Sequence, residues 1–469
     1  MKRRRLRAMW LGLVVLAPCA ASAAVLTDVV DAADGDDPFD VTADVAYDRT
    51  LRRAKITREF VCDPALTLDT CDSAPSGVGA LVFAKELRIQ RVTQTMTPRL
   101  RFGLFHDLEL SLEVPVVIDD TQEVRFAGNG GDPNGVAVDP TISTIAPGER
   151  DVVVDGRLVL GPDGQPLRED PENLFDVPQE ALPTRSGLGD MQLALRWSPF
   201  NQERDPARAT WTLDFGWRMP TGEIMKVDNK GVGRGVHGLT LGTSIARRFA
   251  HAEPYARLDG TLFVPASDSL FKDYRFAQEY VGPGPVAGFM VGTEVVPYED
   301  PARGIKLFFD FALGARYHAK GRDYSELFDA FANGGRACSL DPSATIDPNR
   351  ACYSVDSNSE LAGQPFDGIT TVEQFMTAEG RIGFGLQASK HLRVGTSLSL
   401  AHDTEHFLSS ADVGRDTNGT GIVESRADTN WSADEQNPTY VRAIDSVGRR
   451  LRVEETTVFN VQMNASLMF

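Results

Sequence analysis

The stretch Thr456 to Phe469 alternates in polarity over fourteen residues. Every second position from 457 reads Thr, Phe, Val, Met, Ala, Leu, Phe, while Asn460, Gln462, Asn464 and Ser466 stand between them. A helix, with its 3.6-residue repeat, would smear these two sets around its circumference; a strand sorts them onto opposite faces. The segment is therefore read as a strand with one apolar and one wet face. Such a strand suits the end of a soluble sandwich or the last stave of a closed barrel, and the rest of the chain discriminates between them.

The opposite end carries an export signature. Lys2, Arg3, Arg4, Arg5 and Arg7 precede an apolar run from Met9 to Ala17, and Ala21-Ser22-Ala23 offers a small-residue cleavage site. Cys19 suggests a lipoprotein, but Pro18 stands where a lipobox needs a small residue, so cleavage after Ala23 is expected. The leader run is too short to span a bilayer, and no later segment reaches eighteen uninterrupted apolar residues. Mean hydropathy is −0.22. An exported chain of this kind is soluble, secreted, or a barrel that escapes hydropathy because only alternate residues meet lipid. An alternating strand ending in Phe469 resembles the assembly signal of bacterial outer-membrane barrels. That resemblance implies outer-membrane lipid and the barrel-assembly machinery as partners.

Charge excludes one class of partner. The chain holds 48 basic and 66 acidic side chains, a formal −18, and loss of the five basic residues within 1–23 takes this to −23. Phosphate backbones demand a basic face, so nucleic acid is not expected. Of the five cysteines, Cys19 lies in the leader. Cys62 with Cys71, and Cys338 with Cys352, form close pairs in Gly/Pro/Asp-rich stretches, and in an oxidising compartment they read as loop-stapling disulfides. No CxxC occurs and no histidine lies near either pair, so no metal site is expected.

Alternation recurs in segments of about ten residues, the height of a transmembrane strand. Examples are Leu108 to Val116, Met191 to Trp197, Trp211 to Met219 and Ile305 to Arg316, with similar segments near 238–249, 253–264, 286–297, 374–388 and 391–402. Val41 to Arg58 and Leu81 to Leu104 supply a longer first hairpin. About twelve strands result, with fourteen possible if Thr439–Arg442 pairs with Arg449–Val453. Connections alternate between short turns and long excursions, the largest near 118–186, 318–373 and 403–455. Phe105, Trp197, Phe200, Trp211, Phe249, Tyr298 and Phe469 gather at the short-turn side, as an interfacial girdle would. The fold expected is an all-β, closed antiparallel transmembrane barrel with short periplasmic turns and long extracellular loops: leader 1–23, an acidic periplasmic lead-in 24–40, and a barrel over 41–469. Tyr324 to Asn333 has helical spacing and suggests a short helix in a surface loop.

The inward set of such a barrel is its working surface. It contains Arg99, Arg101, Glu109, Glu113, Arg196, Asp214, Arg218, Arg257, Asp259, Asp310, Arg316, Glu379 and Arg381, with Arg248, Glu294, Lys306 and Arg393 beside them. Charges in a narrow lumen must be paired or hydrated. They form either a structural ladder of Arg–carboxylate pairs or a constriction that selects a small-molecule solute, and several residues can serve both.

The segments RLRFGLFHDLELSLEVPVV (Arg99 to Val117) and SGLGD…DFGWRMPTGE (Ser186 to Glu223) resemble the MetA-pathway of phenol degradation family. The resemblance covers about Arg99 to Val264. It implies an outer-membrane barrel that transports aromatic or other hydrophobic compounds, without cofactor. This chain departs from the pattern in its very long loops. Gly187, Gly189, Asp190, Pro220, Thr221 and Gly222 read as strand-edge devices, with Asp190 accepting backbone N–H groups.

Other motifs fail on context. Gly233-x-Gly235-x-x-Gly238 opens a strand rather than a helix. His402 and His406 match an inverted zincin pattern, but on a strand, where they are expected to share one face. The chain is read as a channel or transporter rather than an enzyme. The alternative is a surface-display barrel whose stapled loops bind a partner.

Overall fold

A computed structural model describes residues 24–30, 40–62, 80–126, short pieces between 150 and 182, 184–227, 229–273, 278–335, 367–424, isolated residues between 435 and 445, and 447–469. Twelve antiparallel staves form its wall. The first two are β1 (Val41–Cys62) and β2 (Ala80–Phe105). The third, β3, runs Leu108–Glu113 and resumes as Val116–Phe126 beyond Pro115, which has no N–H to give the ladder. β4 likewise has two parts, Arg185–Leu188 and Gln192–Phe200. Then come β5 (Thr210–Arg218), β6 (Val236–Ala246), β7 (Ala252–Pro265) and β8 (Val286–Asp300). The last four are β9 (Ile305–His318), β10 (Phe375–Ser389), β11 (Leu392–Asp403) and β12 (Leu451–Met468).

Each stave pairs with the next, and β12 returns to β1 from Thr42↔Met468 to Arg58↔Leu451. The sheet is closed and has no free edge to solvate or aggregate. Twelve is the strand number: Leu451–Val453 starts no new strand but heads β12, where it pairs with His406–Leu408. The terminal residue is tied into the seam by Phe469 N–H donating to Val41 O at 2.9 Å, and by Val41 N–H donating to Phe469 O at 3.2 Å.

Alternation sorts the faces as expected. Leu195, Phe215, Leu241, Leu262, Leu313, Ile382, Leu398 and Met463 all project from the wall and are exposed. Burying one such side chain is worth about 1.5–3 kcal/mol, so a belt of them suits hydrocarbon far better than water. Phe105, Phe249, Tyr298 and Phe469 crowd the short-turn end of this belt.

Beyond the wall, at the long-loop end, Gly321–Asp323, Thr370–Val372 and His406–Ser409 continue the pairing of β9 to β12. A short helix, α1 (Phe328–Gly335), follows Ser325, whose backbone carbonyl accepts from Phe328 N–H at 3.1 Å. The helix starts later than Tyr324 because Ser325 makes a turn first: its Oγ also accepts from Leu327 N–H.

Candidate lumen site

The lumen is built from alternate residues of neighbouring staves. Arg196 on β4 stands opposite Asp214 on β5, and its Nε donates to Asp214 Oδ1 at 2.6 Å. The other Asp214 oxygen accepts from Arg257 Nη1 at 2.8 Å, while Arg257 Nε reaches Asp259 Oδ1 at 3.2 Å. This guanidinium can lie flat on the wall because residue 242, between the two aspartates, is glycine. A Cβ there would stand 2.9 Å from Arg257 Nη2.

A second run of charge lies nearer β1. Arg101 meets Asp44 at 3.0 Å and Glu109 at 3.4 Å, and Arg99 meets Glu113 at 2.9 Å. Across the barrel Arg381 holds Asp310 at 3.0 Å, and the Tyr255 hydroxyl donates to the same aspartate at 2.6 Å. Three of the residues singled out from sequence stand apart from this ladder. Arg218 places its guanidinium 5.4 Å from the Phe263 ring centroid, and its buried Nε has no hydrogen-bond partner. Arg316 and Glu379 line a small crevice with Asp259.

Between the two runs lies a cavity of about 320 Å³, lined by Arg99, Arg101, Arg196, Arg381 and Arg393, with Asp28, Asp44, Glu294 and Asp310. Tyr255 and Phe308 supply its aromatic wall. Both rings depend on glycine neighbours. A Cβ at Gly292 would stand 2.5 Å from the Tyr255 ring, and one at Gly385 would stand 2.1 Å from that of Phe308.

Chain crosses the lumen on both sides of the cavity. At the short-turn end, residues 24–30 enter the barrel and cross it. Ala24 N lies 2.7 Å from Glu253 Oε1, and its side chain packs with Ala246, Tyr255 and Ala312. Asp28 accepts from Arg393 Nη1 at 3.0 Å, while its carbonyl accepts from Arg196 Nη1 at 3.0 Å. On the far side Val30 N–H donates to Glu109 Oε2 at 2.8 Å.

At the long-loop end the closure is the loop bearing α1. Phe328 packs with Met225, Val236, Phe271 and Ile369 in an apolar cluster. Arg52 on the barrel wall holds Glu326 at 2.6 Å and Asp403 at 3.0 Å, and Arg185 holds Asp329 at 2.5 Å. Arg322, 1% exposed, donates to the carbonyls of Ser410 and Ile369, both at 2.9 Å. Burial works to raise the Glu326 carboxyl, but Arg52 and His406 hold it below its ordinary value. Burial dominates at Asp329 and lifts its carboxyl despite Arg185.

Asp190 accepts backbone N–H groups from Gly222 at 3.1 Å and Arg234 at 3.2 Å, the strand-edge role expected of it. The two histidines do not share a face: His402 is exposed, whereas His406 is buried and stacks 4.3 Å from Phe375. The break at Thr404-Glu405 between the two strand segments resets the alternation. Among the described residues no group of three His, Cys, Asp or Glu is placed to hold a metal. Cys71, Cys338 and Cys352 lie outside the described residues, as do residues 1–23, and nothing is described of the Cys62 side chain.

Sequence reasoning missed Asp28, Asp44, Glu253 and Tyr255. Residues 24–30 carry no periodicity, so only their acidity is visible. Asp44 and Glu253 do fall on the inward register of their staves, and Tyr255 shares a face with Glu253; strict counting from the neighbouring pairs would have found all three.

No family model and no characterised protein matches the sequence. Several solved structures are similar in overall outline. An outer-membrane channel from Pseudomonas putida F1 shares 10% identity at a TM-score of 0.37, covering 92% of this chain and 95% of that one. A FadL homologue from Pseudomonas aeruginosa shares 10% identity at 0.30 over 92% and 90%. The outer-membrane protease OmpT of Escherichia coli shares 8% at 0.28 over 92% and 97%. The barrel assignment rests on the strand pairings, not on these likenesses.

Proposed function

We propose that this chain is an outer-membrane channel or transporter that passes small solutes through its lumen. The observation that carries the reading is the cavity between the two closures, an arginine-rich chamber with an aromatic wall inside a shell whose outer face is apolar. A ladder serving only to cross-link the wall would leave little room beside its ion pairs. Here a space of about 320 Å³ remains beside Arg99, Arg196 and Arg381. The lining suits small aromatic solutes that carry a carboxylate. Tyr255 and Phe308 line it with aromatic surface, and guanidinium groups suit carboxylates geometrically. This agrees with the aromatic cargo that the family resemblance implies. We read the chain as a conduit and not as an enzyme, and its residence as the outer membrane after removal of the leader.

Entry of benzoate and of a neutral sugar of similar size into proteoliposomes tests the reading. Benzoate should enter faster through the protein than through protein-free vesicles, and Arg381→Gln should narrow its advantage over the sugar. Protein that neither conducts ions nor speeds either solute would refute it.

A further inference from the structure

The surroundings of Ala24 inside the barrel are unusual. Ala24 is 0% exposed, and its nitrogen and that of Val25 each lie against a buried carboxylate. Glu253 Oε1 is 2.7 Å from Ala24 N, and Glu294 Oε2 is 3.3 Å from Val25 N. Glu253 and Glu294 are 1% and 2% exposed. Lys306 Nζ, 2.7 Å from Glu294 Oε1, supplies one positive charge for the two carboxylates. The remaining oxygen, Glu253 Oε2, is buried without a hydrogen-bond partner. The nearby Arg248 is engaged with Glu299 at 2.5 Å. The pocket thus sets two carboxylates against one lysine and leaves one buried acceptor unsatisfied, an arrangement that costs free energy unless a group with spare protons enters.

An amide at residue 24 offers a single proton and no charge. An α-ammonium offers three protons and one positive charge. Ala23-Ala24 is also the bond at which the leader is expected to be cut. We propose that leader removal makes the anchor. A leader peptidase hydrolyses the Ala23–Ala24 bond with one water, leaving a carboxylate on Ala23 and an amine on Ala24. The amine takes a proton, and the resulting ammonium docks on Glu253, while Glu294 holds the next backbone N–H. Docking fixes residues 24–30 across the lumen, so the short-turn closure is held more tightly on processed chain. The small methyl of Ala24 fits the space among Ala246, Tyr255 and Ala312, which leaves the nitrogen facing the carboxylates. The inference rests on residues 24–30 lying in the lumen and not on which solute passes.

Labelling tests it without reference to transport. The refolded chain beginning at Ala24 carries Thr27→Cys in a background lacking the other cysteines; Thr27 is 1% exposed. It is compared with the same chain bearing Gly-Ser-Gly ahead of Ala24, and with Glu253→Gln. Heat-modifiable migration confirms that each barrel is closed. A water-soluble maleimide should react with the introduced thiol at least tenfold more slowly in the chain that begins at Ala24 than in the other two. Mass analysis of protein from membranes should show Ala24 as the first residue. Equal labelling rates, or a mature terminus elsewhere, would overturn the inference. A barrel that conducts nothing yet shows the labelling difference would sink the channel reading and leave this one standing.

Discussion

The two closures of the lumen are made of different materials. At the short-turn end, residues 24–30 are held by charge: Asp28 lies among Arg101, Arg196 and Arg393, and backbone N–H groups point at Glu109, Glu253 and Glu294. At the long-loop end, α1 and its flanks are held by an apolar cluster around Phe328, with ion pairs at its margin. Apolar packing is non-directional and tolerates small shifts, while a chord of ion pairs is all contacts or none. The difference points to two closures that yield separately, the ionic strap in one step and the apolar cluster by gradual shifts.

Four experiments would break or sharpen that contrast. The largest effect is expected from Arg101→Ala, which takes this cation from buried Glu109 and half-buried Asp44 and removes one partner of Asp28. Stripping one partner from a buried pair costs about 3–5 kcal/mol. Urea unfolding in detergent should show that loss, together with faster labelling of a thiol placed at position 27 and unchanged hydrogen exchange over residues 324–332. Next comes Phe331→Ala, 1% exposed in the native chain. It should cost about 3 kcal/mol, at the lower end for such a truncation because the loops above can settle into the space. Exchange over 324–332 should accelerate while the thiol at position 27 stays protected. If either variant loosened both ends equally, the closures would be one cooperative unit and the contrast would fail.

A smaller effect should follow pH at the long-loop end. Glu326 is held below its ordinary value, so its contribution is present above about 4.5 and is lost as pH falls through the lowered value. Asp329 is raised, so its contribution is complete below about 3.8 and is lost as pH rises through the raised value. Exchange protection over 324–332 should therefore peak at mildly acidic pH and decline on both sides. Monotonic protection would mean that only one of these carboxylates matters. The smallest effect is expected from Arg303→Ala. Its guanidinium is largely exposed and only 3.6 Å from Asp300, so stability should change by less than about 0.5 kcal/mol.

Much of this molecule is legible as sequence because a stave declares itself by period two. The alternation of β12 and of Trp211 to Met219 identifies both the strands and their wet faces. The inward positions of Arg196 and Asp214 follow from the same count. Their partnership does not, because register is a tertiary property: only the β4–β5 pairing brings Arg196 opposite Asp214, and only Gly242 lets Arg257 join them. Both closures are harder to see. Residues 24–30 lack periodicity, so nothing in their order distinguishes a segment threaded into a barrel from one that precedes it. The α1 loop shows its helical spacing, yet its docking depends on Arg52, Arg185 and Ile369, which lie far away in sequence. The histidine pair misleads because a count of alternation runs straight through Thr404-Glu405, where the strand breaks.

The most direct test of the central claim, a lumen closed at its short-turn end by the chain's own residues, is single-channel conductance in a planar bilayer. The refolded chain beginning at Ala24 is compared with one beginning at Asp40. The account predicts low or intermittent conductance for the first and a steady, severalfold larger conductance for the second. Indistinguishable traces would contradict it, and would return the inward charges to the role of a ladder that merely braces the wall.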